Sequence, residues 1–407
     1  MKKLWQKNTD QLDPTIEAFE TKGDLLLDQK LLIYDVYGSI AHAKMLKKIG
    51  IISGDELVKI HKGLLEILEL NNKNKFILGQ GDEDIHTKIE NYLTENFGEV
   101  GKKVHTGRSR NDQVLTAIRL YSKVELKNIQ VEVAELINSF KLFGKMYGSI
   151  PMPGYTHMQK AMPSSIGLWA GSFVAALEDD TKSLKAVYDL IDQSPLGSAA
   201  GYGVSIKLDK KYTANLLGFK KVQENPIYCQ GSRGKFEAFI LAALIQILLT
   251  INKFASDSLL FTTQEFGFLK PSSGVTTGSS IMPQKKNLDL AELLRSKVHL
   301  VLGNYTQIVS LSSNLISGYN RDIQDSKKPL MESLEITLES LKVAKILLEN
   351  LTPDKEKLET AMTEDLFATE KALKLVLKGE SFRNAYKKIG KEYEKGGEKN
   401  EEWEKLY

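Results

Sequence analysis

The sequence predicts an all-α protein built around a central bundle of long helices, and three observations lead there. Only ten prolines occur among 407 residues, which leaves long stretches free of the strongest helix breaker. Within those stretches apolar residues recur at steps of three and four, as in Leu126, Ile129, Val133, Leu136 and Phe140, which share one helical face. No convincing run of alternating apolar and polar residues marks a strand anywhere.

In chain order, Ser53 and Glu56 have the spacing of a capping box ahead of a helix over Leu57–Leu70. Asp82 or Asp84 starts another helix that runs through Leu93 and ends near Gly98. Long helices are then predicted over Asn111–Phe143, Pro163–Asp192, Gly234–Phe266, Asn287–Ile316 and Asp325–Asn350. Each exceeds the average globular helix of about 11–12 residues, and five in succession imply a bundle. After Thr352-Pro353 the chain becomes polar and rich in lysine and glutamate, which predicts two or three small helices and a frayed end of roughly a dozen residues. Boundaries near residues 107 and 355 give three parts: an N-terminal helical domain (1–107), a central long-helix bundle (108–355) and a short C-terminal helical domain (356–407).

Composition narrows the function classes. A net charge of +3, from 55 basic and 52 acidic side chains, is too small to indicate a nucleic-acid or membrane-surface protein. The single cysteine, Cys229, excludes an internal disulfide and fits a reducing, cytoplasmic compartment. Met1–Asp10 is polar, unlike a signal peptide. The most apolar stretch, Phe239–Ile251, contains Gln246 and falls short of the ~20 residues a membrane span needs, so it reads as part of a buried helix. The six histidines are scattered and no HExxH, paired-cysteine, Walker-type or strand-linked GxGxxG motif occurs, so neither a metal nor a cofactor is expected.

Four loops between the helices have unusual composition: His105–Asn111, Pro151–Gln159, Ser194–Gly203 and Lys270–Asn287. The last reads GVTTGSSIMPQKKN from Gly274 to Asn287, crowding hydroxyls and lysines just before a helix. Such a segment can wrap an anion with backbone donors, a cation and a hydroxyl together. Composition alone is equally compatible with a solvated linker.

The motif GSSIMPQKKN (Gly278–Asn287) resembles the GSSxMPxKxN signature of the fumarase/aspartase superfamily. HTGRSRNDQ (His105–Gln113), PGYTHMQ (Pro153–Gln159), SPLGSAAGYG (Ser194–Gly203), YDVYGSIAHA (Tyr34–Ala43), DEDIHT (Asp82–Thr87) and YNRDIQDSK (Tyr319–Lys327) are similar to the argininosuccinate lyase family within it. These matches run in order over residues 34–327. The resemblance implies a three-domain, fumarase/aspartase-like helical fold and the reversible elimination of argininosuccinate to arginine and fumarate. It also implies a homotetramer whose central helices form one bundle and whose active sites take loops from three chains. Phe239–Leu249, almost continuously apolar, would find cover there.

By the same resemblance Ser279 is the general base, and Lys285 stabilises the aci-carboxylate formed when the proton leaves. His157, paired with Glu292, delivers a proton to the departing guanidinium nitrogen. The residues alone leave the acid and base roles of Ser279 and His157 interchangeable. Arg110, Asn111, Thr156, Tyr319, Gln324 and Lys327 match substrate-binding positions; Arg110 suits bidentate carboxylate recognition. Arg108, Asp84 and His86 are weaker candidates, Asp84 reading equally well as a helix cap. Where the family usually has proline after the signature, Leu288 stands here, and MQKAMP replaces LQRAQP after His157. A family substrate serine is loosely aligned with Asp24, which is left outside the site. Adenylosuccinate lyase is disfavoured by HTGRSRND. A structural relative without activity is disfavoured by the intact Ser279, His157, Lys285 and Glu292, and a nucleic-acid-binding module by the interleaving of basic with acidic residues.

Overall fold

The computed structural model describes residues 13–21, 23–79 and 82–394. The polar stretch Met1–Asp10, read as unlike a signal peptide, and the expected frayed end lie outside the described residues. Helices make up 69% of the structure, so the chain is all-α as the periodicity implies. Their order is α1 (Pro14–Thr21), α2 (Leu25–Lys48), α3 (Gly54–Asn72), α4 (Ile85–Phe97), α5 (Glu99–Lys102), α6 (Arg110–Tyr147), α7 (Ile166–Ile191), α8 (Lys210–Leu216), α9 (Pro226–Gly231), α10 (Lys235–Phe261), α11 (Asp289–Leu311), α12 (Lys327–Glu349), α13 (Lys355–Ala361), α14 (Ala368–Leu377) and α15 (Phe382–Glu394).

Local chemistry explains the boundaries. Ser53 Oγ accepts the Glu56 amide while the Glu56 carboxylate accepts the Ser53 amide, closing the predicted capping box ahead of α3. Asp84 caps α4 by accepting the Thr87 amide at 2.7 Å, and Gly98 ends that helix at positive φ. α10 stops earlier than expected because Thr263 Oγ1 accepts the Phe266 amide, turning the chain away. α11 likewise ends early: Ser312 and Ser313 donate their hydroxyls to the Ile308 and Val309 carbonyls of its last turns. Leu288 sits 7% exposed where α11 begins, so a buried apolar side chain anchors a start that lacks the usual proline.

The absence of strands predicted from sequence needs correction. Among the described residues there are four two-stranded pairs: β1 (Pro151–Thr156) with β2 (Gln159–Ser165), β3 (Gln193–Ser194) with β4 (Lys221–Val222), β5 (Leu269–Pro271) with β8 (Leu351–Pro353), and β6 (Thr277–Gly278) with β7 (Lys286–Asn287). All but the β3–β4 pair are antiparallel. Pro163, expected to open a helix, lies in β2, and α7 starts only where Ser165 Oγ accepts the Leu168 amide.

The chain divides into two compact units, one of Met1–Ile129, Ser183–Ile245 and His299–Ile336, the other of Gln130–Lys182, Gln246–Val298 and Thr337–Tyr407. The first has an aliphatic core in which Leu32, Val36, Leu46, Ile60, Leu64, Ile67 and Leu93 from α2, α3 and α4 are fully enclosed. The second is held by aromatic rings: Phe140 lies 5.1 Å from both Phe173 and Phe254, and the Trp169 indole donates to Asp257 at 3.0 Å. The stripe read from the sequence is buried along its length, Leu126, Ile129 and Val133 being 0% exposed and Phe140 2%. By length and composition alone the helical stretch Pro226–Phe261 is apolar enough to cross a membrane; 56% of its most apolar window is buried within the chain.

Candidate active site

Five of the ten predicted site residues converge in one cavity of the first unit. Arg110 and Asn111 open α6, Tyr319 precedes a 3₁₀ turn over Arg321–Ser326 and Gln324 lies within it, and Lys327 starts α12. The cavity has a volume of about 210 Å³, and Asp24 and Asp28 from the start of α2 and Glu83 and Asp84 before α4 complete its charged wall. Every cation expected to receive substrate already has an acidic partner. Lys327 is buried between Asp24 and Asp28, with Asp28 Oδ1 at 2.6 Å. Arg110 Nη1 pairs with Glu83 at 2.5 Å and with Asp84 at 3.4 Å. Gln324 donates to the Glu20 carbonyl at 3.0 Å. Asp24 therefore belongs to the cavity from which the sequence reading left it out. Burial pushes its carboxyl up, against the pull of Lys327 and with a further push from Asp28.

Arg233, which sequence reasoning missed, lines the same cavity. Its side chain is 4% exposed, and its Nε and Nη2 are buried without a hydrogen-bond partner among the described residues. Buried guanidinium donors are normally satisfied, so an unpaired pair facing a cavity marks a place for an acceptor. No local pattern betrays it, because SRGKF reads as an ordinary interhelical turn. Arg108, by contrast, does not line the cavity; it is buried and donates to Ser39 Oγ at 2.9 Å, a packing role.

Asp112 and His86 fix the frame. The Asp112 carboxylate is fully buried and accepts the amides of Ser109, Gly197 and Ala199, each at 2.9 Å, which hangs the SPLGSAAGYG loop on the first turn of α6. His86 Nδ1 lies 3.1 Å from Asp35 Oδ2. Burial works against its charge, but Asp35, Asp84 and Asp28 outweigh that and raise it to about 9. A folded value above the unfolded 6.5 contributes stability that is complete below pH 6.5 and lost as pH rises through about 9. Melting temperature is thus expected to fall between pH 6.5 and 9.5, by an amount corresponding to at most about 3 kcal/mol, and His86→Gln should flatten that limb. An equal fall in both proteins would remove His86 as its cause.

The other five candidates belong to the second unit. Thr156 ends β1, and His157 with Met158 forms the two-residue turn into β2, at φ of 53° and 62°. Hairpins this tight need two positive φ values to match strand twist, and here neither residue is glycine. His157 is thereby held, exposed, at a strained tip. Met158→Gly is expected to stabilise the protein by roughly 0.5–1 kcal/mol in chemical denaturation, by relieving left-handed backbone; no gain would contradict the strain. Lys160, where the motif departs from the family, donates to the Ala361 carbonyl at 2.7 Å and so tethers β2 to the end of α13.

The signature loop is pinned at its base by β6 and β7, with Thr277 opposite Asn287 and Gly278 opposite Lys286. Inside it, Ser279 Oγ accepts two backbone amides, from Ile281 at 3.3 Å and Met282 at 3.1 Å. Two N–H donors on one hydroxyl oxygen favour its anionic form. Lys285 is exposed, immediately before β7, and Glu292 is exposed in the first turn of α11. Among the described residues no group of three or more His, Cys, Asp or Glu side chains is placed to hold a metal ion.

Comparison with known proteins fits this geometry. The family model described as Lyase matches residues 6–303. The argininosuccinate lyase of Thermotoga neapolitana is 47% identical over 391 residues, covering 96% of this chain and 98% of its own. This chain belongs to the argininosuccinate lyase family. A second argininosuccinate lyase, from Phocaeicola vulgatus, is 40% identical over 97% of this chain and 88% of its own. Among solved structures, an EDDS lyase in complex with formate superposes with a TM-score of 0.79 at 22% identity, over 96% of this chain and 78% of that one. A class II fumarase from Schistosoma mansoni gives 0.79 at 18% identity, over 94% and 89%. These distant likenesses establish the fumarase/aspartase fold of this argininosuccinate lyase relative. The chain is a lyase, as the signature loop implies.

Proposed function

We propose that the chain splits argininosuccinate reversibly into arginine and fumarate, in arginine biosynthesis and in the cytoplasm. The observation that carries the reading is the single cavity holding Arg110, Asn111, Tyr319, Gln324 and Lys327 with Arg233, a set matched to a substrate bearing three carboxylates and a guanidinium. Ser279 removes a proton from the succinyl carbon next to the carboxylate. The electron pair rests in an aci-carboxylate stabilised by Lys285, then forms the fumarate double bond as the C–N bond breaks. His157, backed by Glu292, gives the departing guanidinium nitrogen its proton, and Thr156 orients the substrate. The two amides on Ser279 Oγ support the serine as base over the reverse assignment.

The active form is a homotetramer in this reading, each site combining loops of three chains. Exposed apolar side chains on the long helices support it: Leu142 and Met146 of α6 are 63% and 69% exposed, Leu168 of α7 68%, and Phe239 and Leu249 of α10 46% and 45%. The division into domains 1–107, 108–355 and 356–407 belongs to the same proposal. Purified protein mixed with argininosuccinate is expected to release fumarate, followed by ultraviolet absorbance, and dissociated chains to release none. A folded tetramer inert on argininosuccinate but active on adenylosuccinate would transfer the assignment to a sister lyase.

A further inference from the structure

A second cavity in the first unit shares no lining residue with the one described above. Its volume is about 440 Å³, within the ~300–1,000 Å³ typical of small-molecule sites. The middle of α2, the first half of α6, the end of α7 and the end of α8 form its walls. Three lysines (Lys44, Lys123, Lys127) and three tyrosines (Tyr34, Tyr37, Tyr188) line it, and no carboxylate does.

The lysines are not equivalent. Lys123 is buried and satisfied, donating to Asp192 at 2.5 Å and to the Gly218 carbonyl at 2.6 Å. Among the described residues neither Lys44 nor Lys127 has a carboxylate partner; the Lys127 ammonium instead rests 4.7 Å from the centre of the Tyr188 ring. Burial, then Glu125, pushes the Tyr34 phenol up, so its hydroxyl stays a donor at neutral pH. Leu120 and Leu217 supply an apolar floor. A bare inorganic anion gains nothing from that floor or from the rings, and a neutral aromatic leaves two ammonium groups unanswered. An aromatic ring carrying one acid group satisfies both.

We propose that this cavity is a binding site for a small aromatic carboxylate, its ring on the tyrosines and leucines and its acid between Lys44 and Lys127. The test is calorimetric titration of the full-length protein with 3-phenylpropionate, its neutral amide and propionate. Saturable binding of 3-phenylpropionate is expected, with the amide and propionate at least tenfold weaker. Lys44→Met/Lys127→Met should weaken the acid at least tenfold. Leu217→Trp, which fills the floor without touching the charges, should do the same, so that misfolding of one variant does not decide the matter. Binding should persist in saturating fumarate. No saturation below about 10 mM, equal binding of acid and amide, undiminished binding by both variants, or displacement by fumarate would each overturn the proposal.

Discussion

Ser279→Ala is expected to lower turnover of argininosuccinate by roughly 10²–10⁴-fold, the range a positioned general base contributes. The hydroxyl is not preorganised by a neighbouring histidine among its hydrogen bonds. It is preorganised by the Ile281 and Met282 amides, which converge on its oxygen. In the alanine protein those amides lose their side-chain acceptor, but the backbone pairing of β6 with β7 still holds the base of the loop, so the loss is expected in kcat while KM stays near the parent value. Ser279→Cys offers a second view: a thiol gives up its proton more readily but accepts amide hydrogen bonds poorly, so it should recover only part of the rate. A kcat within threefold of the parent in the alanine variant would take the base role from Ser279 and hand it to His157.

The second large effect is expected at Arg233. Arg233→Met should reduce kcat/KM by about 10–150-fold, the equivalent of one charge-assisted hydrogen bond of roughly 1.5–3 kcal/mol, mostly through KM. Among the described residues its Nε and Nη2 make no hydrogen bond, so the loss belongs to binding more than to folding. One structural cost is foreseeable. Glu237 is 3% exposed, accepts the Gly234 amide at 2.6 Å, and relies on Arg233 to offset a burial that raises its carboxyl. Adding Glu237→Gln to Arg233→Met should therefore restore melting temperature and leave KM high. Arg233→Lys keeps the charge but not the planar fork, and should sit between the two. An unchanged KM in Arg233→Met would show that no substrate acceptor reaches those nitrogens.

How far the sequence carries depends on the distance over which each feature is encoded. The Ser53–Glu56 box and the Asp84 cap lie within four residues of the amides they bind and were legible as written. The long helices were legible because their stripes repeat over many turns. The β1–β2 hairpin was not: PMPGYT and QKAMPSS contain three prolines and no clean alternation, and a His-Met turn lacks the glycine or asparagine that normally announces one. The family motifs brought Arg110, Asn111, Tyr319, Gln324 and Lys327 to one cavity on paper, and they share one in space. The neutralisation of Lys327 by Asp24 and Asp28 joins residues about 300 positions apart, and Arg233 matters only because it is buried. Neither leaves a trace at the scale of a motif.

Asp112 shows a division of labour between a loop and its anchor. The segment from Ser194 to Gly203 is mostly glycine, alanine and serine, with little side chain of its own to hold a shape. Its conformation is instead stored 85 residues earlier in the chain, in one carboxylate that holds Gly197 and Ala199 by their amides. A loop held by its backbone can keep small side chains and leave the space above it to whatever binds there. A change at that one acid, on α6, cuts the two amide contacts that tie the loop to the helix, whereas the turns within the loop are set by Gly197, Gly201 and Gly203, all at positive φ.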